Sequence, residues 1–309
     1  MPHAAVLITG VNGFLGQCIA AAFESAGWRV AGIDISEQPS RALAAYRQTT
    51  LPDGGLASFI GAVAPDLVVH CAGRASVGAS VKEPGPDYWA GPPALFSVLE
   101  AIRTQAPQCK LVLLSSAAVY GSPARMPVSE EAAPAPISPY GFHKWQCELL
   151  CREFSSIYGV RTAAVRVFSA YGEGLRRQVL WDVCTQLLRD GRLDLRGTGE
   201  ETRDFVHGQD VARGVLLVAR AAEMNGEVYN LATGRATRIR DLAALAARGL
   251  GVNVTPSFDG VVPAGDPPNW QADMRKMSGL GFRAALRLEE GVARYARWCK
   301  ERFVAAGGS

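Results

Sequence analysis

A glycine-spaced turn between an apolar strand and a helix leaves a chain few ways to fold, and this sequence opens on one, AAVLITGVNGFLG at 4–16. Ala5, Val6, Leu7 and Ile8 read as a short buried strand, Thr9 and Gly10 open a turn, and Gln17 to Ser25 read as a helix. Gly10, Gly13 and Gly16 have the roles such a spacing needs: a tight turn, close approach of the backbone to a pyrophosphate, and close packing of helix on strand. With Phe14 and Leu15 they form an anion site at a helix N-terminus. Trp28 to Ile33 predicts a second strand, ending at Asp34 and Ile35 about 20 residues past the loop, where a carboxylate reaches an adenosine ribose. A negative Asp34 disfavours a 2′-phosphate, so the expected cofactor is NAD. These signals predict an α/β chain with a Rossmann-type, doubly wound parallel sheet.

Along the chain, Arg41 to Tyr46 predicts a short helix and Ala57 to Val63 another. Leu67 to His70 is apolar enough for a parallel strand buried on both faces. It ends in Cys71, Ala72 and Gly73, whose small size lets backbone and cofactor approach. Ala94 to Thr104 reads as an amphipathic helix and Lys110 to Leu114 as a strand that delivers Ser115 and Ser116 to its carboxyl edge, the ligand side of an open α/β sheet. Tyr140 begins a helix running to about Ile157. Lys144 lies four residues on, so it shares a face with Tyr140, and an ammonium beside a phenol favours the phenolate. Such a tyrosine can exchange a proton with a sugar or alcohol hydroxyl while hydride passes to or from the cofactor. Val160 to Phe168 predicts a further strand, and helices are expected at Leu180–Leu188, Asp210–Ala222, Arg238–Arg248, Gln271–Gly281 and Leu288–Phe303.

In this order the motifs resemble the extended short-chain dehydrogenase/reductase family, in its NAD-dependent epimerase/dehydratase branch. TGVNGFLG at 9–16, VVHCAG at 68–73, SSAAVYG at 115–121, SPYGFHKWQCE at 138–148, RVFSAYG at 166–172, RDFVHGQDVA at 203–212 and VYNLATG at 228–234 carry the resemblance. It implies Tyr140 as the catalytic base or acid, Lys144 as its partner and a holder of the nicotinamide ribose, and Ser116 as the hydroxyl that hydrogen-bonds the reacting oxygen. The implied cofactor contacts are Gly10, Gly13, Phe14, Leu15, Gly16, Asp34, Ile35, Cys71, Ala72, Gly73, Ser115, Tyr140 and Lys144. On the substrate side are Ser116, Ser169, Arg177 and Arg203, the last facing a diphosphate, whose charge and geometry suit a guanidinium.

Several positions depart from the family pattern. Ala117 and Ala118 stand where 4,6-dehydratases place Asp-Glu and carry no proton to transfer, which argues against that reaction. Gly91 replaces an Asn, Thr50 or a neighbour an Asp, Ser169 an Asn, and Pro263 the Arg that often precedes the late Gly265–Asp266 pair. The expected activity is a nucleotide-sugar 4-epimerase working through a transient 4-keto sugar; the alternative is a nucleotide-4-keto-6-deoxy-sugar reductase using reduced NAD or NADP. A self-contained redox cycle consumes no cofactor, whereas the reductase needs fresh reductant.

Residues 1–170 are expected to form mainly the NAD-binding part and 171–309 mainly a smaller C-terminal substrate lobe, with 205–235 returning to the first. Pro256, Pro263, Pro267 and Pro268 predict a rigid loop over the pocket, and Tyr295 and Trp298 are read as packing residues. The formal charge of +3 is scattered, so no nucleic acid partner is expected. No apolar run reaches bilayer length and no leader is apparent, so no membrane is expected and the cytoplasm is the expected location. The seven cysteines are read as reduced packing residues, and no metal is expected. The resemblance also implies a homodimer through the Tyr140 helix and the 94–104 helix, with Trp145, Leu149 and Phe154 on its face.

Overall fold

The computed structural model describes residues 4–261 and 267–305. In chain order the elements are β1 (Ala5–Thr9), α1 (Phe14–Ser25), β2 (Arg29–Asp34), β3 (Ala45–Gln48), α2 (Leu56–Val63), β4 (Leu67–His70), α3 (Val77–Lys82), α4 (Pro84–Trp89), α5 (Pro92–Gln105), β5 (Lys110–Ser116), α6 (Pro139–Tyr158), β6 (Arg161–Val167), β7 (Ser169–Tyr171), α7 (Gln178–Asp190), β8 (Asp194–Leu195), β9 (Thr202–His207), α8 (Gly208–Ala221), β10 (Asn225–Leu231), β11 (Ala236–Arg238), α9 (Ile239–Leu250), β12 (Ser257–Phe258), α10 (Arg275–Gly279) and α11 (Leu288–Ala305).

Seven parallel strands form the main sheet in the order β10-β6-β5-β4-β1-β2-β3. Alternation along each strand divides its apolar residues between two layers. Val6, Ile8, Val112 and Val165 pack with Ile19 and Phe23 of α1 and Val211 and Val215 of α8. Leu7, Val68, Leu111 and Leu113 pack with Ile60 of α2, Leu95 and Val98 of α5 and Phe154 of α6 on the other face. Burial on both faces is why these strands read as continuous apolar runs. From β1 the chain builds outward through β2 and β3, then crosses to β4 on the opposite side. The carboxyl ends of β1 and β4 therefore bound a topological switch point, where such sheets bind ligands.

Beyond the main sheet, β7, β9 and β11 form a three-stranded sheet, and β8 pairs with β12. Helices α7, α9 and α11 bury Val183, Leu242 and Tyr295 in a second core. Asp204, fully buried, binds this region to the main sheet: its carboxylate accepts bonds from the Thr233 amide and hydroxyl, the Gly234 amide and the Ala272 amide at 2.7–3.1 Å. Tyr295 is buried and its hydroxyl donates to the Leu175 carbonyl, while Trp298 packs on Trp181, the packing roles expected of both.

Three local expectations need correction. Instead of a helix over 41–46 the chain forms the edge strand β3, because pairing with β2 captures Ala45 and Tyr46. Within 271–281 only Arg275–Gly279 is helical; Gln271 and Ala272 are extended, with the Gln271 carbonyl accepting from the Val128 amide. Phe154 faces the core rather than the surface, edge-on to Phe96, whereas Leu149 is exposed and Trp145 half-buried. Pro263, Gly265 and Asp266 lie outside the described residues.

Candidate active site

A cleft of about 1100 Å³ runs along the carboxyl edge of the main sheet to β7, α7 and β9. Every cofactor, catalytic and substrate residue named from the sequence borders it.

At one end is the glycine turn. Gly10 has φ +69°, and a Cβ there would stand 2.9 Å from the Ala72 amide nitrogen, so the loops after β1 and β4 close on each other only without a side chain. A Cβ on Gly16 would lie 2.9 Å from both Val11 Cα and the Val11 carbonyl, besides overlapping the Gly10 carbonyl. Gly13 caps α1 with no side chain over its first amides, which leaves the helix N-terminus open to an anion. Asp34 is oriented by its own surroundings: Oδ2 accepts from the Asn12 amide at 2.9 Å and Oδ1 from the Ser36 amide and hydroxyl at 3.1 and 3.0 Å. Asn12 in turn binds the Gln38 carbonyl and the Ser40 amide, shaping the rim beside Ile35. The cradle and its carboxylate fit a dinucleotide.

Below the turn, Thr9 Oγ1 accepts from the Ala72 amide and lies 2.9 Å from His70 Nδ1. Burial, reinforced by the Lys144 charge, holds the His70 pKa down to about 3. The Cys71 thiol is pushed up to about 12, chiefly by burial, so it serves as a small apolar wall.

The middle of the cleft brings Ser116, Tyr140 and Lys144 together. Ser138 caps α6 by accepting from the Gly141 amide at 3.2 Å, and Pro139 occupies the first turn. Lys144 Nζ donates to the Leu114 carbonyl at 2.8 Å and lies 5.9 Å from the Tyr140 ring centroid. Ser116 ends β5; its Oγ accepts from the Ala118 amide at 3.2 Å, leaving its own proton to donate into the cleft. Ser115 differs from the expectation. The residue borders the cleft, but its hydroxyl is taken up by the core, where it donates to Glu148 Oε1 at 2.5 Å. Glu148 also receives Arg166 Nε and Nη2 at 2.9 and 2.7 Å. Of the two strand-end hydroxyls, that of Ser115 is therefore taken up by Glu148.

The far wall carries Ser169 on β7, Arg177 before α7 and Arg203 on β9. Arg203 donates to the Thr202 and Pro268 carbonyls at 2.9 and 3.3 Å and lies over the Trp270 ring at 5.4 Å. Trp270 is fixed by its Nε1 bond to the Gly121 carbonyl. Trp270, Asn12, Thr49, Phe168 and Gln178 also border the cleft and were missed from the sequence. For Trp270 the prolines at 267 and 268 were the available signal. Asn12 and Phe168 lie inside the motifs at 9–16 and 166–172, and Thr49 and Gln178 next to Thr50 and Arg177, but their residue types did not distinguish them.

The pattern of the NAD dependent epimerase/dehydratase family matches residues 6–232. The chain belongs to this family. The chain is 26% identical over 303 residues, covering 96% of itself and 98% of the relative, to a putative UDP-glucose 4-epimerase of Methanocaldococcus jannaschii. It also resembles two solved structures. The UDP-glucose 4-epimerase of Thermotoga maritima with UDP-glucose superposes with a TM-score of 0.89 at 26% identity, covering 97% of this chain and 99% of that one. The UDP-glucuronic acid 4-epimerase of Bacillus cereus, in complex with UDP-glucuronic acid and NAD, gives 0.86 at 26%, covering 96% and 99%. Membership makes NAD the cofactor, and the bare glycine cradle with Asp34 at its rim fits it. Among the described residues no helix is long and apolar enough to cross a membrane.

Proposed function

We propose that this chain is an NAD-dependent 4-epimerase of nucleotide diphosphate sugars, uridine diphosphate sugars foremost. The observation that carries the reading is the continuity of one cleft from the glycine cradle, past Ser116, Tyr140 and Lys144, to Ser169, Arg177 and Arg203. Its length suits a dinucleotide and a nucleotide sugar meeting end to end at Tyr140. The glycine turn and the amides of Phe14 and Leu15 hold the pyrophosphate, Asp34 the adenosine ribose and Lys144 the nicotinamide ribose. Bound there, NAD supplies the site that takes a hydride from the sugar and returns it. Tyr140 takes the C4 hydroxyl proton at its Oη and gives it back, with the Lys144 cation beside the phenol. Ser116 donates a hydrogen bond to the C4 oxygen, where it is most useful as charge develops. Arg177, Arg203 and Ser169 grip the diphosphate, so the transient 4-keto sugar can turn about that anchor and present its other face.

The same reading divides the chain into an NAD-binding part, mainly 1–170 with 205–235, and a substrate lobe made mainly from 171–309. The placement of β10 in the main sheet and of α8 against α1 supports the return. Two copies would pair through α5 and α6, where Phe96, Leu149, Ile157 and Tyr158 are exposed. The seven free thiols suit a reducing compartment, and the cytoplasm is the proposed location.

Tyr140→Phe tests the chemistry. It removes the phenol oxygen and keeps the ring, so NAD binding by calorimetry is expected to change far less than turnover, which falls by about 100-fold or more. Parental turnover would remove Tyr140 from the mechanism.

A further inference from the structure

The segment between β4 and α5 supplies the cleft wall beside the catalytic helix. Ala75, Ser76 and Val77 border the cleft at the start of α3, and Ala90 borders it after α4. Between these points the segment turns two buried polar side chains toward the first turns of α6. Ser80, fully buried, donates to the Val77 carbonyl at 2.7 Å and accepts from the Tyr140 amide at 3.1 Å. First-turn amides have no partner within their own helix, so Ser80 caps α6 from a different element. Asp87, 3% exposed, places Oδ2 2.6 Å from His143 Nδ1, and the imidazole packs edge-on to Tyr88. Arg74 and Glu83 pair at 2.7 Å within the segment itself. A buried carboxylate is costly without its partner, which ties α4 to the residue next to Lys144. Neither Asp87 nor His143 borders the cleft, so their part in turnover runs through the wall they hold.

We propose that Asp87 and His143, with Ser80, are positioning residues that clasp this wall to the catalytic helix and so retain the half-reacted sugar. The inference rests on the epimerase reading. In the first half-reaction the C4–H bond breaks, its electron pair goes to NAD as hydride, and the hydroxyl proton goes to Tyr140. The sugar is then oxidised by two electrons and NAD reduced by two. Escape at that moment leaves one free 4-keto nucleotide sugar and one reduced cofactor on a stalled protein. An epimerase of this kind needs its wall shut for as long as the sugar turns.

His143→Leu, His143→Gln and Asp87→Asn test the clasp, with two readouts. Hydrogen–deuterium exchange needs no substrate: backbone exchange over 74–91 is expected to quicken at least tenfold in His143→Leu, less in Asp87→Asn, and to stay near the parent in His143→Gln, which keeps an N–H donor. With a nucleotide sugar that the parent epimerises, absorbance at 340 nm reports the stalled, reduced state. It is expected to build up about tenfold faster in His143→Leu than in the parent, with the NAD dissociation constant within twofold. Parental exchange over 74–91 overturns the clasp. Quickened exchange with parental build-up at 340 nm leaves the pair a structural tie and overturns its part in retention. If instead Tyr140→Phe keeps parental turnover, the epimerase mechanism fails, and the exchange measurement still judges the clasp by itself.

Discussion

Glu148→Gln removes one charge from the pair that ties α6 to β5 and β6, and its cost follows from the burial. The Glu148 and Arg166 side chains are 6% and 3% exposed and joined by two bonds, and Ser115 supplies a third to the carboxylate. Arg166 Nη1 has no hydrogen-bond acceptor among the described residues and lies in a guanidinium stacked 4.6 Å from the Tyr120 ring centroid. Burial works against the Arg166 cation, but the Glu148 bond and charge together with Tyr120 more than offset it and hold its pKa above the usual value; a guanidinium stays charged even without its partner, so neutralising Glu148 leaves a buried cation. Breaking one side of such a pair costs about 3–5 kcal/mol. An unfolding entropy of about 2.1 cal/mol/K per residue over 309 residues gives about 0.65 kcal/mol/K, so the melting temperature should fall by about 5–8 °C. Ser115→Ala leaves both arginine bonds in place and should cost about 1 kcal/mol, or about 2 °C. Replacing both partners, Glu148→Leu with Arg166→Met, removes the stranded charge and should recover most of the loss. Thermal unfolding followed by circular dichroism measures all three. A Glu148→Gln protein within 1 kcal/mol of the parent, or a double variant less stable than the single one, would refute the reasoning.

Two further perturbations have defined outcomes. Gly16→Ala drives a methyl into the Gly10 carbonyl and to 2.9 Å from Val11, so α1 must shift away from the turn; calorimetry should show NAD affinity reduced at least tenfold, and a change under threefold would contradict the cradle. His70 concerns acid stability. Its folded pKa of about 3 lies below the ordinary 6.5, so between these values the unfolded chain holds a proton that the folded chain lacks. Stability from this site is complete above pH 6.5 and falls by up to about 1.4 kcal/mol per pH unit on the way down to pH 3. Denaturation midpoints from pH 7 to 4 should therefore fall more steeply in the parent than in His70→Gln, and parallel curves would assign the acid sensitivity elsewhere.

The part of the fold that sequence made legible is the part buried on both faces. β1, β4 and β5 are so uniformly apolar, and the glycines between β1 and α1 so tightly spaced, that local pattern and tertiary environment agree. β3 was misread because an edge strand of partly exposed residues has little periodicity of its own and owes its form to β2. Phe154 was misplaced because α6 is flanked by other elements on several sides, so its apolar stripe alone cannot say which side meets solvent. The site was legible where chemistry restricts residue type, as with Tyr140 and Lys144. Ser115 shows the limit: two adjacent hydroxyls look alike in sequence, and only the Glu148–Arg166 pair that takes up the first separates them. Trp270 reaches the cleft through a loop whose path depends on Asp204 and β9, contacts too distant in sequence for local pattern to show.

The central claim is a self-contained redox cycle at C4 of a nucleotide sugar, and one measurement tests it most directly. Purified protein, with no cofactor added beyond what it carries, is incubated with uridine, guanosine, cytidine and thymidine diphosphate sugars, and the products are read by NMR. The account predicts that a uridine diphosphate sugar becomes its C4 epimer while total nucleotide sugar stays constant. No new epimer in any sample, with conversion of a 4-keto sugar only when reduced cofactor is supplied, would contradict it and make the protein a reductase.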